Sequence, residues 1–445
     1  MTPKIFQMNY DERQIGINHL PDEILEKILI EATINLEGSM MAAAVCRRWR
    51  RIMATRLSMV KYLLQDQWSI DSGHLLDEGL ICIPKASFLF LHENGSHPEI
   101  LKTCLEWLPN LMVIEVCRPD TRDEEEALLR CIASKTNIVG FFWYPKYNRS
   151  QGAAHIPEVQ LTNIDMVAIF EEPFALTHTT LFYCCHQSLS QLYISNENWS
   201  PAIILPRFWN LRRLHMLYHD RENIYPRLLA YSGPVLYKLE ILELSFAVES
   251  MFDHLTHLLL FCPNLKSLFL QIEGGHYNLD DLSSNRRFFE TVENLIIEIS
   301  KSWVSHCKLD DWVCFMELVR MFPNLKNLGL RNVHNLTEDL IVAALQWSFN
   351  LKLLDIKVKT TPSSGNDSFS SGPSIKAENI ASCFFWRHRQ RITCIVRPYE
   401  DDYESVSVQT GTWHIKEGFD FMTHVFPRNF SFSPVFLVDY NPCED

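Results

Sequence analysis

The sequence predicts an α/β fold, with a small all-α segment at the N-terminus followed by a curved solenoid of strand–helix repeats. Two observations carry this. A short apolar pattern recurs ten times at nearly constant spacing between residues 111 and 351. The first sixty residues lack that pattern and carry helix signals instead, opening with "HLPDEILEKILIEA" from His19 to Ala32. Composition agrees with a folded chain: 445 residues, 47% apolar and 21% charged, too long for one ordinary core.

In the opening stretch, Pro21 sits at the first turn of a helix and Asp22 and Glu23 follow it. Ile24, Leu25, Ile28 and Leu29 then line one side. Further on, "NLEGSMMAAAVCRRWRRIM" places Val45, Trp49, Ile52 and Met53 at helical spacing. Arg47, Arg48, Arg50 and Arg51 fall mostly on other faces. They form either a phosphate-binding or nuclear-targeting cluster or, as the acidic chain favours, a solvated face. Two or three short helices make a very small core, so an apolar helical face left over is a partner site by default.

The repeats read "PNLMVIEV" at Pro109, "WNLRRLHM" at Trp209, "YKLEILEL" at Tyr237, "PNLKSLFL" at Pro263, "PNLKNLGL" at Pro323 and "FNLKLLDI" at Phe349. Each is an apolar residue, two spacers, an apolar residue, one spacer and a third apolar residue. Weaker copies start at Ile138, Ile164, Leu189 and Val292. The mean gap between anchors is about 27 residues, within the band of leucine-rich repeats. Between anchors, His97–Leu108, Asp123–Ser134, Met251–Cys262, Leu309–Phe322 and Thr337–Ser348 show helical periodicity. Asp123 to Glu126 read as an acidic first turn, favourable against the helix dipole. Such a unit cannot bury its apolar side alone, and stacking makes one continuous core with the strands lining an arc. The array is expected to begin at "SFLFLHE" (Ser87–Glu93). "IKAENIASCFFWRHRQRITCIVRP" offers one more helix and strand, and the aromatic-rich tail reads as a terminal cap.

In the pattern's strands the lone spacer between the last two apolar residues points away from the core. Those positions are Glu115, Phe142, Ala168, Tyr193, His215, Glu243, Phe269, Ile296, Gly329 and Asp355. Phe142, Tyr193, His215, Glu243, Phe269 and Asp355 are the candidate substrate contacts on the arc's inner face, aromatic anchors being the kind that dominate interfaces. The competing reading has the C-terminal tail folded back over some of them; both stay open.

Other chemistry is sparse. No phosphate-binding glycine loop, nucleophile elbow or His-Glu-x-x-His motif occurs, so neither catalytic residues nor a cofactor are expected. The thirteen cysteines include no Cys-x-x-Cys pair, so no metal site is expected and they read as reduced, packed thiols. A net charge of −13 disfavours nucleic acid as a partner, and no window is long and apolar enough for a membrane span. The opening residues carry no leader-like apolar run, which leads to the expectation of a cytoplasmic and/or nuclear protein. The Asn-x-Ser/Thr sequons are then chance matches.

Leu20-Pro21, Glu23-Ile24-Leu25 and Ile28-Leu29, followed by Val45-Cys46 and Trp49, resemble the F-box, whose pattern is Leu-Pro-x-Glu-Ile-Leu, an apolar pair, then Val-Cys-x-x-Trp. The resemblance covers about residues 17–62. In the middle the chain departs from the pattern: "NLEGSMMAAA" stands where the family carries its second helix with an L…D-L signature. "CPNLKSLFL" and "NLTEDLIVAAL" are similar to the cysteine-containing repeats that accompany F-boxes. The resemblance implies a segment that docks on the adaptor Skp1 and, through it, on a cullin–RING ubiquitin ligase of the SCF type. The contacts it implies are Leu20, Pro21, Ile24, Leu25, Ile28, Val45 and Trp49. The repeats would then hold a protein substrate for ubiquitination, and the chain itself would be a non-catalytic subunit; a partner-binding scaffold that assembles no ligase is the alternative. The expected divisions are a tail (1–16), F-box (17–62), linker or first cap (63–85), repeats (86–359), loop (360–374) and a terminal repeat with cap (375–445).

Overall fold

The computed structural model describes residues 17–65 except 34, 86, 88–91, 98–117, 121–144, 159–170, 187–195, 205–217, 231, 233–246, 257–272, 288–299, 318–333, 338–359, 376–388 and 392–399. The expected tail, the loop at 360–374 and the cap beyond 399 lie outside these residues.

Three helices open the described chain: α1 (Asp22–Ala32), α2 (Leu36–Val45) and α3 (Arg47–Met59). The stretch that fits the family pattern least, "NLEGSMMAAA", forms α2. Asn35 starts it by accepting the Gly38 amide on Oδ1 at 2.7 Å. Cys46 plays the corresponding part for α3, its Sγ accepting from the Trp49 amide at 3.4 Å.

Among the described residues thirteen strands then form one parallel sheet that does not close on itself. They are β1 (Tyr62–Gln65), β2 (Phe88–Leu91), β3 (Val113–Cys117), β4 (Gly140–Tyr144), β5 (Met166–Phe170), β6 (Gln191–Ser195), β7 (Arg213–Leu217), β8 (Ile241–Phe246), β9 (Ser267–Ile272), β10 (Asn294–Ile299), β11 (Asn327–Val333), β12 (Leu353–Lys359) and β13 (Thr393–Tyr399). From β3 to β13 the strand order follows the chain. At the other end the order is β3-β1-β2. There residues 63–65, in the stretch expected as linker or first cap, join the sheet, and the segment at Phe88, where the array was expected to begin, is its outermost strand.

Every strand from β3 to β12 begins two residues after its anchor, and all ten anchors, from Leu111 to Leu351, are buried. Between strands, the described helices are α4 (Pro98–Trp107), α5 (Arg122–Ala133), α6 (Glu338–Ala344) and α7 (Ala377–His388). Thr121 caps α5 in a reciprocal box with Glu124, both hydrogen bonds at 3.3 Å. Of the expected helices at Met251–Cys262 and Leu309–Phe322, only helical residues 257–259 and 318–320 are described.

A second device joins successive units. The asparagine before several anchors donates its side-chain Nδ2 to a carbonyl of the preceding unit: Asn110 to Ser58 at 2.7 Å, Asn210 to Gln187 at 2.6 Å, Asn264 to Tyr237 at 2.7 Å and Asn324 to Glu290 at 2.8 Å. This explains the recurring Asn-Leu pair. Leucine fills the core while asparagine satisfies a carbonyl of the unit before it.

One apolar core runs the length of the sheet, from Leu36, Leu57 and Val60 to Ile380 and Phe384. The N-terminal helices therefore share it. Among the described residues no helix is long and apolar enough to cross a membrane. Buried Cys104 and Cys262 belong to this core and half-buried Cys394 packs against it: burial pushes Cys104 up to about 11 and Cys262 and Cys394 up to about 12, which keeps them protonated.

Candidate functional site

The N-terminal helices place the seven implied adaptor contacts in three environments. Leu25 and Leu29 point inward and, with Ala42, Ala43, Ile52 and Met53, make the small local core, against which Trp49 packs half-buried. Leu20 is also half-buried, while Pro21, Ile24, Ile28 and Val45 are exposed. Leu25 is thus a correction: it is 0% exposed where its neighbour Ile24 is 44% exposed. Successive helical residues point 100° apart, so Leu25 and Leu29 form one stripe and Ile24 and Ile28 the next. Met41, four residues before Val45, is another exposed apolar side chain of α2. Helical spacing from Val45 was the signal that would have found it.

Arginines fix this face. Arg48 donates to Asp22 through Nε at 2.7 Å and Nη2 at 2.6 Å, and Nη2 also donates to the Leu20 carbonyl. Arg51 adds a second guanidinium on the same carboxylate. The hydrogen bond from Arg48, more than any other cause, holds Asp22 below the usual carboxylate range. Arg48 and Arg51 therefore tie α3 to the start of α1, while Arg47, Arg50 and Arg51 are exposed, as the solvated-face reading expected. Arg56, fully buried, donates to the Ala86 carbonyl, and burial lowers it to about 10.

No protein-family model matches the chain, and no curated protein matches it.

The second candidate region is the row of spacer residues. Strand pairing registers Glu115, Phe142, Ala168, Tyr193, His215, Glu243, Phe269, Ile296, Gly329 and Asp355 with one another, partner to partner, across β3 to β12. Gly329 leaves room in this row for Ile296, whose Cγ1 would lie 2.9 Å from a Cβ there. The sequence spacing thus found a true row of the sheet. Its expected openness is corrected: Tyr193, His215, Glu243, Phe269 and Asp355 are all buried. The Phe142 side chain lies outside the described residues.

Charge pairing makes this burial tolerable. Arg213, two residues before His215 on the same face of β7, grips Glu243 of β8 with two hydrogen bonds, Nη2 to Oε1 at 2.7 Å and Nε to Oε2 at 3.2 Å. Burial pushes the Glu243 carboxyl up, but the Arg213 guanidinium and the groups beside it outweigh burial, and the carboxyl sits below its ordinary range. His215 Nδ1 lies 3.6 Å from Glu243 Oε2, and its ring centroid is 4.4 Å from that of Tyr193. Burial keeps the imidazole below its ordinary range against the carboxylate's pull, so it is neutral near pH 7. Nearby, Asn327 donates to Asn294 at 2.7 Å and Asn294 to Ser267 at 2.9 Å, a polar chain across three strands. Among the described residues no three metal-ligating side chains gather.

Proposed function

We propose that this protein is the substrate-recognition subunit of an SCF-type ubiquitin ligase. In this reading α1 to α3 are the F-box and the parallel sheet with its helices is a leucine-rich-repeat solenoid. The observation that carries the proposal is the division of α1. Leu25 and Leu29 supply the small core, while Ile24 and Ile28 are left on the surface of a segment that resembles a docking module. Two exposed isoleucines a turn apart are the anchors of a helical partner face. The chain then contributes proximity: the adaptor binds one end, the target is held along the repeats, and effective concentration does the rest.

The test is a pull-down of the wild type and an Ile24→Asp/Ile28→Asp variant, probed for adaptor and cullin. Both positions are exposed, so the variant keeps its fold, checked by circular dichroism. Wild type retrieving both partners and the variant neither is the expected result. Wild type retrieving neither refutes the proposal, and adaptor without cullin replaces it with a scaffold that assembles no ligase.

A further inference from the structure

Since the inner row is buried, the target needs another surface. One lies at the edge of the sheet, on the residues immediately before the strands. Arg212, Glu240, Lys266, Glu293, Lys326 and Lys352 each precede a strand, β7 to β12 in turn. Each donates its backbone N–H to the carbonyl of the one before, from Glu240 to Arg212 at 2.8 Å through Lys352 to Lys326 at 2.7 Å. They form a continuous row in which the first five charges alternate, beginning and ending on a cation.

Along this row runs an open groove of about 860 Å³, also lined by Tyr237, Lys238 and Glu290. Two of its cations, Arg212 and Lys266, stand further out than the carboxylate between them, while Lys326 and Glu293 are equally exposed at 41% each. The side chains of Arg212 and Lys266 are 64% and 60% exposed, against 33% for Glu240, which they share at 3.2 and 3.7 Å. Lys326 reaches Glu293 at 2.7 Å. Trp209 and Tyr237, both exposed, stand at the start of the row and are aromatic anchors of the type that dominates interfaces.

Adjacent strands lie about 4.8 Å apart, so Arg212, Lys266 and Lys326, on alternate strands, recur at roughly 10 Å. A peptide in polyproline-II form advances about 3.1 Å per residue and completes a turn in three, so every third side chain lies on one face at roughly 9 Å. We propose that this groove receives an unfolded segment of the target protein in polyproline-II form that carries a carboxylate at every third residue, one over each of Arg212, Lys266 and Lys326. Glu240 and Glu293, between the cations, reject a charge at the intervening steps. A run of consecutive acids fits worse for that reason, and so does a nucleic acid, whose phosphates repeat without gaps. The inference rests on the reading that the repeats recognise a target, but its test is independent of adaptor binding.

The probe is a fluorescein-labelled nine-residue peptide with glutamates at its second, fifth and eighth positions in a Gly/Ser background. Its control has the same composition with the three glutamates consecutive. Anisotropy is read against the purified full-length protein at low salt. The spaced peptide is expected to bind about tenfold tighter, the effect of two misplaced charge contacts. Lys266→Glu should erase that preference while leaving the adaptor pull-down unchanged. Equal binding of the two peptides, no binding of either at millimolar concentration, or displacement by oligouridylate overturns the proposal. A spaced preference in a chain that retrieves no adaptor upholds the groove and refutes the ligase reading alone.

Discussion

Replacing Arg213 by leucine removes the guanidinium from a carboxylate that is fully buried. The cost follows from the structure. At pH 7 Glu243 must either stay charged without its double hydrogen bond or take up a proton. Protonation at pH 7 of a carboxyl whose ordinary value is 4.5 costs about 1.36 kcal/mol per pH unit, or about 3.4 kcal/mol. Loss of one partner of a buried ion pair costs about 3–5 kcal/mol by general experience, so the two routes agree. We expect Arg213→Leu to lose about 3 kcal/mol at pH 7, measured by urea titration with far-UV circular dichroism.

The pH dependence gives the sharper check. In the wild type the depressed Glu243 adds stability above the unfolded-state value, and that stability is lost as pH falls through the folded one. In Arg213→Leu burial acts without the guanidinium, the carboxyl rises, and the penalty is paid only above the unfolded value. The deficit should therefore shrink to about 1 kcal/mol at pH 5. His215, 3.6 Å away, gives the same sign by accepting the proton itself. The double variant Arg213→Leu/Glu243→Leu should lie within about 1 kcal/mol of wild type, because no charge remains buried. An Arg213→Leu protein as stable as wild type at pH 7, or equally impaired at pH 5 and pH 7, refutes the reasoning.

Three further expectations are simpler. Leu25→Ala should cost about 3 kcal/mol and Ile24→Ala less than about 1 kcal/mol in urea midpoints, since the first opens a cavity and the second changes a surface residue. Gly38→Ala should bring none of the usual gain of up to about 1 kcal/mol for replacing a helical glycine, because the new Cβ would lie 2.6 Å from Asn35 Oδ1 and dislodge the cap; thermal melts beside Asn35→Ala check this. His215 is held neutral in the fold, so wild-type stability should fall as pH drops below about 6.5, where the unfolded imidazole takes a proton. His215→Gln should flatten that part of the curve of unfolding free energy against pH.

The strands were legible because their signal is local. An anchor followed by apolar residues at the third and fifth places fixes a turn, a strand start and a core face together. β1 escaped detection through one residue: Val60 and Leu63 match the pattern, but Gln65 stands where the third apolar residue belongs. Its position between β3 and β2 is a long-range pairing that no local pattern encodes. Register along the spacer row was legible too, since equal offsets from the anchors put those residues side by side. Their burial was not. Period two tells which way a side chain points but not what lies over that face. The edge row was overlooked for a related reason: each charge looks like an ordinary surface residue until neighbouring strands set the six side by side.

The same logic applies to the boundary between the helices and the sheet. Sequence favours a division there, because the repeat pattern stops and a different module begins. Physically the two are one body. Leu36, Leu57 and Val60 belong to the sheet's core, Arg56 donates to Ala86, Asn110 donates to Ser58, and the Met112 amide donates to the Lys61 carbonyl at 2.8 Å. Asn35 even bridges to Phe90 of β2. A small helical unit that could not bury its faces alone gains a floor from the first strands. In the proposed ligase this has a mechanical consequence. Adaptor contacts on α1 and target contacts at the edge of β7 to β12 would be held at a fixed separation, so effective concentration would be set by geometry and not by the reach of a flexible linker.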